Sequence, residues 1–273
     1  MPVIIAATDF SAAGNNAVRY AHAMAAAYSC SLHIVHSYVI PVAYGDTPVP
    51  LVPIDDGREI AEEGMGQLTK QLAPGTEVLT HITYGDITDA LQEYTEKVQP
   101  WIIVVGNSSD EDTRFWLGSN LISELKDLPY NVLAVPPTAT FQPVKNVCLA
   151  CDFKQVTDVF PAADITGIVQ ATGCTLHVLN VDHDNKHFAL DMPLNAELIH
   201  QHLSSVDPQY HYIDNDDVET GVTGFVEEKG MDWLAVIPHK HSFFEGLFRK
   251  SHTKALARMS NIPLLALHEQ EKK

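Results

Sequence analysis

CSLHIVHSYV at residues 30–39 comes back as CTLHVLNVDH at residues 174–183. Cysteine, a hydroxyl side chain, leucine and histidine recur in one order, followed by β-branched and other apolar residues. Internal repetition on this scale decides the fold, because each copy must then be one structural unit. The flanking sequence repeats as well. VIIAATDF (3–10) matches VCLACDF (147–153), each a short apolar run ending in Asp-Phe. QPWIIVVG (99–106) matches GMDWLAVIP (230–238), and SNLISELKDLPYNVLAVP (119–136) echoes HTKALARMSNIPLLALH (252–268).

The offsets describe a single duplication. Asp9 to Asp152 is 143 residues, Leu32 to Leu176 is 144, and Gly106 to Pro238 is 132. The register holds, then shifts once, as one insertion would cause. The extra residues are expected in 39–57, VIPVAYGDTPVPLVPIDDG, whose Pro and Gly content reads as a loop. PPTATFQP (136–143) reads as a linker, which places two domains at 1–138 and 142–273.

Each half alternates apolar runs with amphipathic stretches. In the first half the pattern predicts strands near 3–8, 31–38, 77–83, 101–105 and 131–135, and helices near 14–28, 57–73, 86–98 and 119–127. Nearly continuous apolar strands between helices imply a buried parallel sheet. Right-handed crossovers then give a doubly wound, five-stranded, Rossmann-like α/β domain, here twice in tandem. Ligands of such domains sit beyond the carboxyl ends of the strands, where Asp9 and Gly106 fall.

Bulk properties narrow the function. The chain has 273 residues, 45% hydrophobic and 19% charged, with a formal charge of −18. That charge opposes nucleic acid and anionic membrane surfaces, so an anionic ligand needs local donors. No apolar run is long enough to span a bilayer, and MPVIIAATDF lacks the basic start of a signal peptide; the expected location is cytoplasmic. Cys148 and Cys151 form a CxxC on a strand, which reads as two small residues on opposite faces before it reads as a redox pair. Fourteen histidines are present, and no spacing among them makes a strong zinc pattern. No metal site is assigned, and no catalytic constellation stands out.

With these marks the chain resembles the universal stress protein family, as a tandem of two family domains. The resemblance rests on a first strand ending in Asp9, on LHIVHSY, on a fourth strand entering a glycine loop, on Gly118-Ser119 opening the last helix, and on a proline before the last strand. It implies a five-stranded parallel sheet and, in many members, ATP or another adenine nucleotide bound by the first-strand Asp and the loop after the fourth strand. It also implies that the two fifth strands, NVLAVP and PLLALH, pair edge to edge in an intramolecular pseudo-dimer. The phosphate motif of the family is Gly, two residues, Gly, nine residues, Gly, then Ser or Thr.

This chain departs from that motif in both halves. In GNSSDEDTRFWLGSN (106–120), Gly106 and Gly118-Ser119 match, Ser109 replaces the second glycine, and only eight residues separate Ser109 from Gly118. In the second half the spacing is complete, but Pro238, His241, Ser251 and His252 stand at the motif positions. The candidate nucleotide contacts are therefore Thr8, Asp9, Gly106, Ser108, Ser109, Gly118, Ser119 and Asn120. Asp9 is read either as an adenosine contact or as a cap on the following helix. The acidic run Asp110, Glu111 and Asp112 opposes phosphate unless it helps hold Mg²⁺; Arg114 offsets it. In HKHSFFEGLFRKSH, aromatic Phe243, Phe244 and Phe248 among cations read as a docking surface for a protein partner. The expected function is nucleotide-responsive regulation with ATP in the first half only. A nucleotide-free scaffold is the alternative, and slow ATP hydrolysis or nucleotidyl transfer a further one.

Overall fold

A computed structural model of the chain describes residues 1–40, 42–43, 49–50, 53–107, 128–151, 160–182, 192–237 and 262–268. In the first half these form β1 (Val3–Ala7), α1 (Ala12–Tyr28), β2 (Ser31–Tyr38), β3 (Val42–Ala43), β4 (Val49–Pro50), α2 (Ile54–Thr69), β5 (Val78–Tyr84), α3 (Ile87–Val98), β6 (Ile102–Gly106) and β7 (Val132–Val135). The second half gives β8 (Asn146–Ala150), α4 (Ala162–Thr172), β9 (Thr175–Asp182), α5 (Met192–Leu203), β10 (Gln209–Asp214), α6 (Val218–Lys229), β11 (Trp233–Val236) and β12 (Leu264–Ala266).

Ten strands make one sheet, in the order β10-β9-β8-β11-β12-β7-β6-β1-β2-β5. Within each half of this sheet all pairings are parallel, and the chain winds outward from its first strand in both directions. The two fifth strands, β7 and β12, meet antiparallel with Leu133 opposite Leu265, the pairing implied by the resemblance. Neither central edge is left open, which removes a template for aggregation. The side chains of each strand alternate between two core layers. Ile4, Ala6, Leu32 and Ile34 join one layer, into which Met24 of α1 and Met65 of α2 also pack. Ile5, Ala7 and Val35 join the other, with Leu91 of α3.

Local signals agree with these ends. Ser11 caps α1 by accepting the Gly14 N–H, and Asp86 and Asp217 cap α3 and α6 in the same manner. Ser29 and Gly173 close α1 and α4 in left-handed conformation, at equivalent places before Cys30 and Cys174.

Two readings are corrected. The segment 39–57 is not all loop: Val42–Ala43 pairs with Val49–Pro50, and α2 already begins at Ile54. The second correction concerns register. Trp101 donates its N–H to Val3, as Asp232 does to Asn146. Trp101 is thus equivalent to Asp232, not to Trp233, and Ile237 rather than Pro238 stands at the place of Gly106. The shared tryptophan misled the alignment by one residue, because one-residue slips are invisible in continuously apolar strands. The helix expected at 119–127 lies outside the described residues.

The halves are bound by more than the β7–β12 ladder. Trp233 Nε1 donates to Tyr20 Oη over 2.8 Å, with both residues buried. Asn16 Nδ2 donates to the carbonyls of Pro136 and Ala139 at 2.9 Å each, and Val144 N–H donates to Tyr28 Oη at 3.0 Å. Phe141 sits edge-on to Tyr20 and Tyr28, with ring centroids at 5.3 and 5.9 Å. The linker is therefore packed along α1 rather than free.

Candidate nucleotide site

The strand order reverses beside β1. The chain leaves β1 for β2 and β5 on one side, then returns to β6 and β7 on the other. A crevice at such a switch point opens beyond the carboxyl ends of β1 and β6. Thr8, Asp9 and Gly106 all lie there.

Hydrogen bonds hold the turn after β1 rigidly. Thr8 N–H donates to Val35 O at 3.0 Å, Thr8 Oγ1 accepts from Phe10 N–H at 3.0 Å and donates to Asn15 Oδ1 at 3.2 Å. Asn15 Nδ2 returns to Phe10 O at 2.9 Å. Asp9 Oδ1 accepts from Ser11 N–H at 2.9 Å, and Ser11 Oγ from Gly14 N–H at 3.0 Å. The capping role weighed for Asp9 thus belongs to Ser11. Asp9 shapes the turn, and its second carboxylate oxygen has no hydrogen-bond partner among the described residues.

Phe10 takes φ 62°, a left-handed conformation that is unfavourable for a bulky residue by roughly 1–2 kcal/mol. Its ring packs on His36 at 4.1 Å between centroids, and Gly64 of α2 lets it fit, since a Cβ there would lie 2.9 Å from the ring. His36 Nδ1 donates to Thr8 O at 2.7 Å, which places a proton on Nδ1. Burial pushes the His36 pKa down, against the opposing pull of Thr8 O and Asp9.

Two glycines bring α1 onto this turn. A Cβ on Gly106 would stand 2.6 Å from the backbone C and O of Ala13; one on Gly14 would stand 2.6 Å from Asp9 Oδ1. At Gly106 two backbones meet, and Gly14 leaves room for the side chains of Asp9 and Thr8. The consequence is that the amino end of α1, with its positive dipole end, lies against the ends of β1 and β6.

The second half keeps the frame with different residues at these positions. Cys151 stands for Thr8, with its N–H on Leu179 O at 2.9 Å. Asn180 stands for His36, and its Nδ2 donates to Cys151 O at 2.9 Å. Ile237, buried, stands for Gly106. A β-branched side chain there could not admit the close approach that Gly106 allows. Correspondingly α4 has 11 residues where α1 has 17, and with their carboxyl ends aligned the difference falls at the amino end.

Of the contacts expected from the sequence, Thr8, Asp9 and Gly106 are brought together at the ends of β1 and β6. Ser11, Gly14 and His36 were not among those expected. The second histidine of LHIVHSY was noted only as a family mark, and its bond to Thr8 depends on strand register. Ser108, Ser109, Gly118, Ser119 and Asn120 lie outside the described residues, as do Asp152, Phe243, Phe244 and Phe248. Among the described residues no cluster of three or more His, Cys, Asp or Glu could hold a metal ion, and no helix is long and apolar enough to cross a membrane.

The model of the universal stress protein family matches residues 1–136. Through this half the chain belongs to the universal stress protein family. Solved structures extend the likeness to the second half at the level of fold. A universal stress protein from Archaeoglobus fulgidus DSM 4304 superposes with a TM-score of 0.69 at 16% identity, covering 97% of this chain and 98% of that one. A putative universal stress protein from Pseudomonas aeruginosa UCBPP-PA14 gives a TM-score of 0.58 at 11% identity, covering 98% and 94%. A universal stress protein solved in complex with cAMP aligns with 50% of this chain and 98% of its own, at 26% identity and a TM-score of 0.37. Curated proteins gave no significant match.

Proposed function

We propose that this universal stress protein is a nucleotide-responsive regulator that binds one adenine nucleotide, ATP in the first instance, in its first half. The observation that carries the reading is the contrast at one position. Gly106 admits the amino end of α1 to the crevice beside Thr8 and Asp9, whereas Ile237 fills the matching place in the second half. Asp9 lies at the end of β1 with one carboxylate oxygen without a hydrogen-bond partner among the described residues, suited to accept from ribose hydroxyls. Gly106, Ser108, Ser109, Gly118, Ser119 and Asn120 would then supply donors to the phosphates, with Mg²⁺ offsetting Asp110, Glu111 and Asp112. The second half serves as the pseudo-dimer partner, and its Phe243, Phe244 and Phe248 as the docking surface through which occupancy is read.

Binding, not turnover, is the proposed activity: residues 106–120 include no lysine to support phosphoryl transfer. A turnover assay with Asp9→Ala as control would contradict this if it showed ATP hydrolysis lost in the variant. The nucleotide-free scaffold retains one favourable observation, the loop shortened by a residue at Ser109. Ultraviolet absorbance of the supernatant from denatured protein separates the two readings. Adenine released in a near-stoichiometric amount supports the site; its absence, together with no thermal stabilisation by added ATP, supports the scaffold.

A further inference from the structure

Outside the nucleotide crevice, four histidines occupy matching places in the two halves, on the sheet face covered by α3 and α6. His33 on β2 matches His177 on β9, and His81 on β5 matches His211 on β10. In each half an inner strand therefore offers one imidazole and the outermost strand another. The helix above supplies an aromatic ring, Tyr94 from α3 or Phe225 from α6, at the same step of helices that both run 12 residues. That one difference changes what the histidines can do.

In the first half the Tyr94 hydroxyl lies 3.0 Å from His33 Nδ1, and the Tyr94 ring stacks on His81 at 4.5 Å. A hydroxyl can donate to a neutral imidazole or accept from a protonated one. Protonation of His33 therefore costs this contact nothing. In the second half Phe225 offers no hydroxyl, and the two imidazoles meet directly. His177 Nδ1 lies 3.0 Å from His211 Nε2, with ring centroids at 5.2 Å, and Phe225 covers His211 at 4.7 Å. His177 Nε2 lies 3.3 Å from Asn146 Oδ1 on β8, which can only accept. The neutral arrangement is thereby fixed: His177 holds its proton on Nε2, and its Nδ1 accepts from His211 Nε2–H. One added proton can be carried by reversing the central bond. Two cannot, because both facing nitrogens would then bear hydrogen and both rings positive charge.

We infer that the His177–His211 contact is an acid-sensitive latch that holds the outermost strand β10 on β9 and releases it when both rings are protonated. Among the described residues no carboxylate shifts either ring: from α6 the pair meets Phe225 and Lys229, and from β8 it meets Asn146. Lys229 is itself cationic and pairs with Glu228 at 3.4 Å in exposed surroundings. Asp232 directs Oδ2 to the N–H groups of Lys145 and Asn146. Burial lowers both pKa values; His211 and Lys229 lower that of His177 further, as Lys229 does that of His211. The sign follows. A base held below its ordinary pKa binds fewer protons when latched than when released, so stability is lost as pH falls through about 6.5 and below. β10 is the outermost strand of the described sheet, with β9 as its partner, so it can leave without breaking a second ladder.

Hydrogen exchange of the full chain at pH 7.5 and pH 5.0, corrected for intrinsic rates, tests the latch. Burial lowers His33 and His81 as well, so peptides from β10 should lose more protection than those from β5, by about tenfold for each unit by which the His177–His211 pair is held below the first-half pair. His211→Gln removes one titrating ring and the second charge, and should weaken the pH dependence of the β10-to-β5 ratio, leaving only the share due to burial of His177. Phe225→Tyr, which installs the hydroxyl present in the first half, should reduce the loss. An unchanged β10-to-β5 ratio in the wild-type protein, equal loosening of β5, or a wild-type response in His211→Gln would overturn the proposal.

Discussion

The indole N–H of Trp233, at the start of β11 in the second half, donates to the hydroxyl of Tyr20 on the first half's first helix, 2.8 Å away in the core. The donor and acceptor are separated by 213 residues of sequence. Burial pushes the Tyr20 pKa up, so the hydroxyl stays neutral and remains an acceptor throughout the working range.

Tyr20→Phe removes the acceptor and leaves a buried indole N–H unpaired, which costs about 1–3 kcal/mol. The urea midpoint should fall accordingly. Because the bond crosses between halves that share a sheet and a packed linker, unfolding should remain a single transition. Two separated transitions in the wild-type protein would contradict the shared core.

Gly106→Ala places a methyl group 2.6 Å from the backbone of Ala13, where no side chain can rotate away. The expected loss is about 1–3 kcal/mol of stability, read as a lower midpoint of thermal unfolding, with nucleotide affinity falling as α1 is pushed from the crevice. An unchanged midpoint would show that the approach of α1 to β6 is looser than described.

The thiol of Cys148 is fully buried, and burial pushes its pKa up to about 12. It packs in one core layer while Cys151 packs against the other. Alkylation of the native protein at pH 8 should leave Cys148 unmodified, and mild oxidants should not join the CxxC pair, because only the exposed thiolate reacts. Rapid labelling of Cys148 without unfolding would revive the redox reading.

Much of the fold was legible because buried parallel strands are nearly continuous apolar runs and the duplication printed each one twice. IIVV and WLAV are strands whichever way they are aligned. The same uniformity hid the register, which is why Trp101 was matched to Trp233 when Asp232 is its true counterpart. In 39–57, proline and glycine outweighed a helix start at Ile54 that carries no side-chain cap. At the site, Asp9 and Gly106 were visible as motif residues. Their local work was not: Ser11 takes the cap, and the glycine serves the backbone of Ala13, contacts set by how α1 lies on the sheet. The histidine pairs were half visible, His33 and His177 in the repeat itself. Their partners His81 and His211 sit on strands whose sequences, VLTHITY and QYHYID, share only the histidine.

The central claim, one nucleotide held by the first half alone, is tested most directly by calorimetric titration of ATP with Mg²⁺ into the full chain, beside Asp9→Ala and Gly118→Asp. One binding event per chain, lost in both variants while their folding remains cooperative, is the predicted result. Heat corresponding to two sites per chain, undiminished binding in Asp9→Ala, or no heat and no thermal stabilisation in the wild-type protein would contradict it.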